Sequence, residues 1–199
     1  DGWDYVGTGS RRGELPLPSL GGAAQLGNAA TALAVIEAAE PGLLVPDDAV
    51  RAGLARARLA GRFQVVAGTP EWILDVAHNP DAARVLARSL DMRACRGRTV
   101  GVCGMLADKD VEAVAQVMSP RIDAWIAVGI DAPRGLDAAA LAARLGSAVG
   151  IEASRAQDVA AGLEKARSLA RDGDRVVVFG SFHTVGPALE WLGLDAAGG

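Results

Sequence analysis

No G-x-x-x-x-G-K-S/T phosphate loop occurs in the 199 residues, and no G-x-G-x-x-G follows the first candidate strand. Neither of the glycine-rich cradles by which nucleotide-binding folds are usually read from sequence is encoded here. The two cysteines, Cys95 and Cys103, stand without metal-ligand spacing, and there are only two histidines. That argues against a zinc site and gives no support to a Ser-His-Asp arrangement. The thiols read as reduced residues of a cytoplasmic protein, with Cys103 inside a strand. There is no basic cluster and the formal net charge is −4, which argues against nucleic acid or an anionic membrane as a partner. No apolar stretch approaches the roughly 18 residues of a membrane-spanning helix. The first residues carry neither an initiator Met nor a signal-peptide pattern. Aromatics are few, while half of the residues are apolar, chiefly Ala, Gly, Val and Leu. This is the composition of a soluble α/β protein with ample length for a core.

The rhythm of the chain changes once. Up to residue 60 it reads as a strand near the start, a polar turn at 10–13, a short return strand at 14–17, and two helices over 23–40 and 46–59. Pro41-Gly42 stops the first helix, and Pro46-Asp47-Asp48 opens the second. Two helices and a hairpin are too little to bury their own faces, so residues 1–60 read as the tail of a larger domain. Beyond Ala60-Gly61 strands alternate with helices. The predicted strands are 63–66, 72–76, 99–103, 124–128, a weak one near 149–152, and 175–179. The predicted helices are 81–90, 111–119, 137–145, 158–170 and 185–192, and 196–199 reads as a frayed end. Such alternation implies an α/β fold for residues 61–199, a mostly parallel six-stranded sheet with flanking helices and right-handed crossovers. Val176-Val177-Val178-Phe179 has the continuous apolar character of a strand buried on both faces.

The candidate site is organised around Leu74-Asp75-Val76-Ala77-His78-Asn79-Pro80. Asn79 as N-cap and Pro80 at the first helical position explain each other. Asp75 and His78 lie just before them, at a strand's carboxyl end, where open α/β sheets bind ligands. They either contact a ligand or satisfy local backbone groups. Polar residues also follow the other parallel strands, in 104–110 with Lys109, in 129–135 with Arg134, and in 180–184 with Ser181 and His183. Ser181 is a helix cap or a carboxylate or phosphate contact. Lys109, between two Asp residues, is a solvated helix start or a partner for an anion. Arg62 is a surface residue at a strand start or reaches a phosphate, and Asn28 is an N-cap or reads a nucleobase edge with its amide.

Five segments in order then resemble one family: Asn28-Ala29-Ala30-Thr31-Ala32-Leu33, Gly61-Arg62-Phe63, Asp75-Val76-Ala77-His78-Asn79-Pro80, Gly104-Met105-Leu106-Ala107-Asp108-Lys109-Asp110 and Gly180-Ser181-Phe182-His183-Thr184-Val185. Together they resemble the bacterial bifunctional folylpolyglutamate synthase/dihydrofolate synthase family, within the Mur ligases, over about residues 15–192. The resemblance implies the end of an ATP-binding central domain in 1–60 and a C-terminal Rossmann-like glutamate ligase domain in 61–199. It implies an ATP-dependent ligase that adds L-glutamate to dihydropteroate or a folate through an acyl phosphate, cytoplasmic and monomeric as the full enzyme. By the same resemblance Asn28, Arg62 and Asp75 bind ATP, and His78, Lys109 and Ser181 belong to the glutamate site. The phosphate loop and the Mg²⁺ ligands of the family are expected upstream, so the chain alone is expected to be inactive. The alternatives are a cell-wall (muramyl peptide) ligase domain and a non-enzymatic nucleotide-binding module.

Overall fold

The computed structural model describes residues 2–22, 24–39, 45–150 and 152–194. The expected helix stop at Pro41-Gly42 and the frayed end at 196–199 lie outside them. The chain divides into two compact units, Asp1–Leu59 and Ala60–Gly199.

In the first unit β1 (Gly2–Val6) and β2 (Arg11–Pro16) form an antiparallel hairpin. The link is Gly7 to Ser10, closed by the Gly7 N–H donating to the Ser10 carbonyl at 2.9 Å. The return strand therefore begins at Arg11, not at Glu14, and the expected turn at 10–13 moves upstream. Gly7 and Gly9 both lie within this tight link. Helices α1 (Gln25–Ala39) and α2 (Asp47–Arg56) follow, with Pro46 as the extended residue before α2. Tyr5, Leu15, Leu33 and Val50 make a small core, while Leu17, Leu26 and Val35 stay exposed. Both ends of Arg51's guanidinium tie α2 to the hairpin, donating to the carbonyls of Gly13 and Glu14.

In the second unit the strands are β3 (Gln64–Val66), β4 (Glu71–Asp75), β5 (Thr99–Cys103), β6 (Ala124–Val128), β7 (Ser154–Ala156) and β8 (Arg175–Phe179). Their order across the sheet is β3-β4-β8-β5-β6-β7. Every pair is parallel except β3 with β4. Successive side chains of a strand point to opposite faces, and the two faces are covered separately. Ile73, Val177, Phe179, Cys103 and Ala127 pack under α3 (Pro80–Asp91), α4 (Val111–Met118) and α5 (Ala138–Val149). Leu74, Val176, Val178, Val102 and Val128 pack under α6 (Val159–Leu169) and α7 (Phe182–Trp191). Val176, Val177 and Val178 are fully buried, each contributing on the order of 1.5–3 kcal/mol by leaving water. That places β8 near the middle of the sheet, and its neighbours are β4 and β5. Among the described residues no helix is long and apolar enough to cross a membrane.

Three expectations fail in this unit. No strand occurs at 149–150 or at 152. The helix expected to end at Leu145 continues to Val149 and stops at Gly150, whose φ of +68° is the left-handed cap that glycine adopts most readily. The strand falls instead at Ser154–Ala156, a short edge pairing with β6. The last helix begins at Phe182 rather than Val185, because Ser181 caps it by accepting the His183 N–H at 3.1 Å.

Candidate functional site

The carboxyl ends of β4, β8 and β5 are adjacent, since Asp75 pairs in register with Phe179 and Phe179 with Cys103. The turns that follow these strands therefore open onto one rim. In sheet order that rim carries Asp75 and His78, then Ser181, then Lys109. Arg62 joins it for a different reason. Because β3 runs antiparallel to β4, the start of β3 lies beside the end of β4.

Asp75 is the hub of this rim. Its Oδ2 accepts the Phe63 N–H at 2.9 Å and its Oδ1 accepts the Ala77 N–H at 2.8 Å. The Val76 N–H donates to the Gly61 carbonyl at 2.9 Å, and the Gly61 N–H to Gln64 Oε1 at 3.1 Å. Phe63 is held at φ +44°, outside the usual range for a non-glycine residue. Arg62 is thus displayed, exposed, on a turn that Asp75 braces. Burial pushes the Asp75 carboxyl above its usual range, while the two backbone N–H groups and the Arg62 charge oppose it. A carboxylate has about four acceptor sites, so Asp75 retains capacity toward a ligand after accepting both backbone donors.

His78 is half-buried, and its Nδ1 lies 2.9 Å from the Val76 carbonyl. A carbonyl only accepts, so Nδ1–H donates and Nε2 is the nitrogen left for a ligand. Asn79 caps α3 by accepting the Ala82 N–H at 2.8 Å, with Pro80 opening the helix. Ser181 is 6% exposed, and its Oγ is used as the cap of α7. Its own hydroxyl proton has no acceptor among the described residues. It sits in a turn where Gly180 takes φ +111°, and a Cβ there would lie 2.5 Å from the Gly104 carbonyl oxygen.

Lys109 lies between β5 and α4, with its Nζ 3.3 Å from Asp108 Oδ2. Arg134 reaches the same oxygen at 3.1 Å, which makes it more than the turn residue its sequence context suggests. Desolvation raises the Asp108 carboxyl, but the Lys109 hydrogen bond and the charges of Arg134 and Lys109 together outweigh it and hold the group below its usual range. Arg144 of α5 braces the loop, paired with Glu112 and donating to the Lys109 carbonyl at 3.3 Å. His183 is exposed rather than packed. An open depression of about 450 Å³ lies between the end of β6, the start of α6 and α7, lined in part by Asp131, Phe182, His183 and Glu190, and touches neither Asp75 nor His78.

Asn28 belongs to the first unit. It is inside α1, not its cap, and its amide donates to Gln25 Oε1 at 3.2 Å. It lines an apolar groove of about 450 Å³ with Leu33, Val50 and Leu54. Among the described residues no group of three or more His, Cys, Asp or Glu is placed to hold a metal ion. Two residues with no role legible in the sequence also act here: the Thr184 hydroxyl ties the turn after β8 to the turn after β5, and Gln64 closes the turn that displays Arg62 by accepting the Gly61 N–H. The only local signal for either was a polar residue beside a glycine turn.

Residues 61–182 match the family model of the Mur ligase glutamate ligase domain. Over 197 residues the chain is 36% identical to the dihydrofolate synthase/folylpolyglutamate synthase of Escherichia coli (strain K12), covering 99% of this chain and 44% of that protein. Among solved structures it is similar to Escherichia coli FolC in complex with DHPP and ADP, with a TM-score of 0.86 and 37% identity over 96% of this chain and 44% of that one. It is likewise similar to a bifunctional folylpolyglutamate synthase/dihydrofolate synthase with Mn, AMPPNP and L-glutamate bound, with a TM-score of 0.85 and 40% identity over 97% of this chain and 45% of that one. The chain spans somewhat under half the length of these relatives.

Proposed function

This chain belongs to the dihydrofolate synthase/folylpolyglutamate synthase family of Mur-type ligases, and from that premise we propose that it is the glutamate-accepting part of an ATP-dependent amide ligase. The substrate is dihydropteroate, a folate, or both in turn. Residues 1–60 then close an ATP-binding domain, and residues 61–199 are the glutamate ligase domain. The γ-phosphoryl group of ATP passes to a substrate carboxylate, giving ADP and an acyl phosphate. The glutamate amine attacks the acyl carbon, the C–N bond forms, the C–O bond to phosphate breaks, and inorganic phosphate leaves with the amine's surplus proton released. Such chemistry asks the protein chiefly for positioning and charge complementarity.

The observation that carries this reading is the adjacency of β4 and β8, which supports a shared site for His78 and Ser181. The Ser181 hydroxyl and the free N–H groups at the start of α7 suit a glutamate carboxylate. His78 Nε2, in the neutral ring, accepts from the incoming ammonium and orients it. His78 need not act as a general base, because an acyl phosphate is already reactive. Lys109 is assigned to a second glutamate carboxylate, which would have to compete with Asp108 for it. Arg62 and Asp75 are assigned to the ATP phosphates and ribose, and Asn28, in an apolar groove, to adenine. Among the described residues no group of three or more His, Cys, Asp or Glu is placed to hold a magnesium ion. Two free cysteines accord with a reducing, cytoplasmic setting, and we take the complete enzyme to be a monomer.

The test has two arms. Initial rates of the complete ligase are measured with L-glutamate and dihydropteroate or folate, and separately with muramyl precursors. Turnover with the first set alone is expected, and turnover with muramyl substrates alone would overturn the assignment. The 199-residue chain is expected to show no turnover by itself.

A further inference from the structure

Thr184 is fully buried, and its hydroxyl donates to the Gly104 carbonyl at 2.9 Å across eighty residues of chain. Its backbone N–H donates to the Ser181 carbonyl at 3.0 Å. One residue is therefore bonded on its backbone to the cap of α7 and on its side chain to the residue that follows β5. The Gly104 N–H returns a bond to the Phe179 carbonyl at 3.2 Å, just before the Gly180-Ser181 turn. No slack is left between these two turns. A Cβ on Gly104 would lie 2.5 Å from Thr184 Oγ1, and one on Gly180 would lie 2.5 Å from the Gly104 oxygen. The two turns are consequently locked in height and angle relative to each other.

We propose that Thr184 is a positioning residue for glutamate. It fixes the Ser181 hydroxyl and the first N–H groups of α7 against the β5 turn that leads to Lys109. This inference rests on the reading of Ser181 as a glutamate contact. Packing alone does not account for the arrangement, since a valine would fill the same space and leave the Gly104 carbonyl without this donor. Displacement of a substrate-binding group by about 1 Å can cost on the order of a hundredfold in rate, so the lock bears on use of glutamate rather than only on folding.

The experiment compares Thr184→Val, Thr184→Cys, Thr184→Ser and Ser181→Ala in the complete ligase, measuring KM for glutamate, KM for ATP, kcat and thermal midpoint. Thr184→Val is expected to raise KM for glutamate by about 10- to 100-fold with KM for ATP unchanged, and Thr184→Ser to restore it. Thr184→Cys keeps the volume with a weak donor and is expected to fall between, which preserves the test should the valine variant not fold. A lower midpoint and lower kcat with wild-type KM for glutamate in the valine and cysteine variants would overturn the positioning role. Ser181→Ala separates the two failures. A normal glutamate KM in Ser181→Ala rejects the site itself, and with it this inference. An impaired Ser181→Ala beside normal Thr184 variants rejects the inference alone.

Discussion

Asp75 accepts the backbone N–H of Phe63 at 2.9 Å, joining the end of β4 to the turn that displays Arg62. Its other oxygen holds Ala77, the residue before His78. One carboxylate thus braces a candidate phosphate contact on one side and a candidate glutamate contact on the other. In the complete ligase Asp75→Ala is expected to raise the ATP requirement on the order of 10–100-fold, as loss of a charge-assisted hydrogen bond of about 1.5–3 kcal/mol would. Rates measured against ATP concentration check this, and an unchanged ATP dependence in a correctly folded variant would count against the assignment.

Asp174 contributes to the pH dependence of stability. It is buried and accepts the N–H of Arg171 at 3.0 Å and of Arg98 at 2.6 Å. The Arg171 bond, then the Arg98 bond, hold its carboxyl below the ordinary value of 3.8. A lowered native pKa means that the unfolded chain binds the proton more tightly. Its stabilisation is therefore complete above about 3.8 and lost as pH falls through the lower native value. Asp75, raised by burial, acts in the opposite sense, and its contribution falls as pH rises from 3.8 toward its native pKa. Asp174→Asn should cost about 1–3 kcal/mol at neutral pH. Urea unfolding at stepped pH should show the gap to wild type closing below about 3.8, and a gap independent of pH would reject the account.

Gly180→Ala tests the close approach of the β8 and β5 turns. Alanine at φ +111° is strained, and its Cβ would strike the Gly104 oxygen, a backbone atom with little freedom to move. Backbone strain of this kind costs about 1–3 kcal/mol before the clash is counted. Chemical denaturation should therefore show a clear loss of stability, and a variant within about 0.5 kcal/mol of wild type would be incompatible with the described turn.

The thiols separate by location. Cys103 lies within β5, and burial pushes it up to about 12, so the reactive thiolate is scarce as well as inaccessible. Cys95 is half-buried, close to the carbonyls of Gly97 and Gly173. Alkylation of the native chain should label Cys95 first and Cys103 only on unfolding. Equal labelling rates under native conditions would be the contrary result.

Much of the second unit could be read from local signals. The run Val176-Val177-Val178-Phe179 declares a strand buried on both faces, and Asn79-Pro80 declares a helix start. Ser154–Ala156 declares nothing, because a short, largely exposed edge strand needs no apolar run and is held by its pairing with β6. Ser181, a favoured cap, marks the start of α7, while the apolar spacing becomes helical only from Val185 onward. Strand order is the larger gap. The bond between Thr184 and Gly104 and the presence of Arg62 on the rim both follow from which strands are neighbours and from the reversal of β3. Neither leaves a mark in the nearby residues. For the same reason the rim's candidate residues could be named from motif resemblance while the groups that hold them in place could not.

A double-mutant cycle on His78→Ala and Ser181→Ala in the complete ligase tests the central claim, that these residues share one glutamate site, most directly. KM values for glutamate and for ATP are measured for the wild type, both single variants and the double variant. Each single change is expected to raise KM for glutamate by about tenfold or more, a cost of roughly 1.4 kcal/mol, while KM for ATP stays within about twofold. The effects should also fail to add, because groups acting on one ligand in one site are coupled. A defect in ATP use with normal glutamate dependence, or two glutamate effects that add as independent sites do, would contradict it.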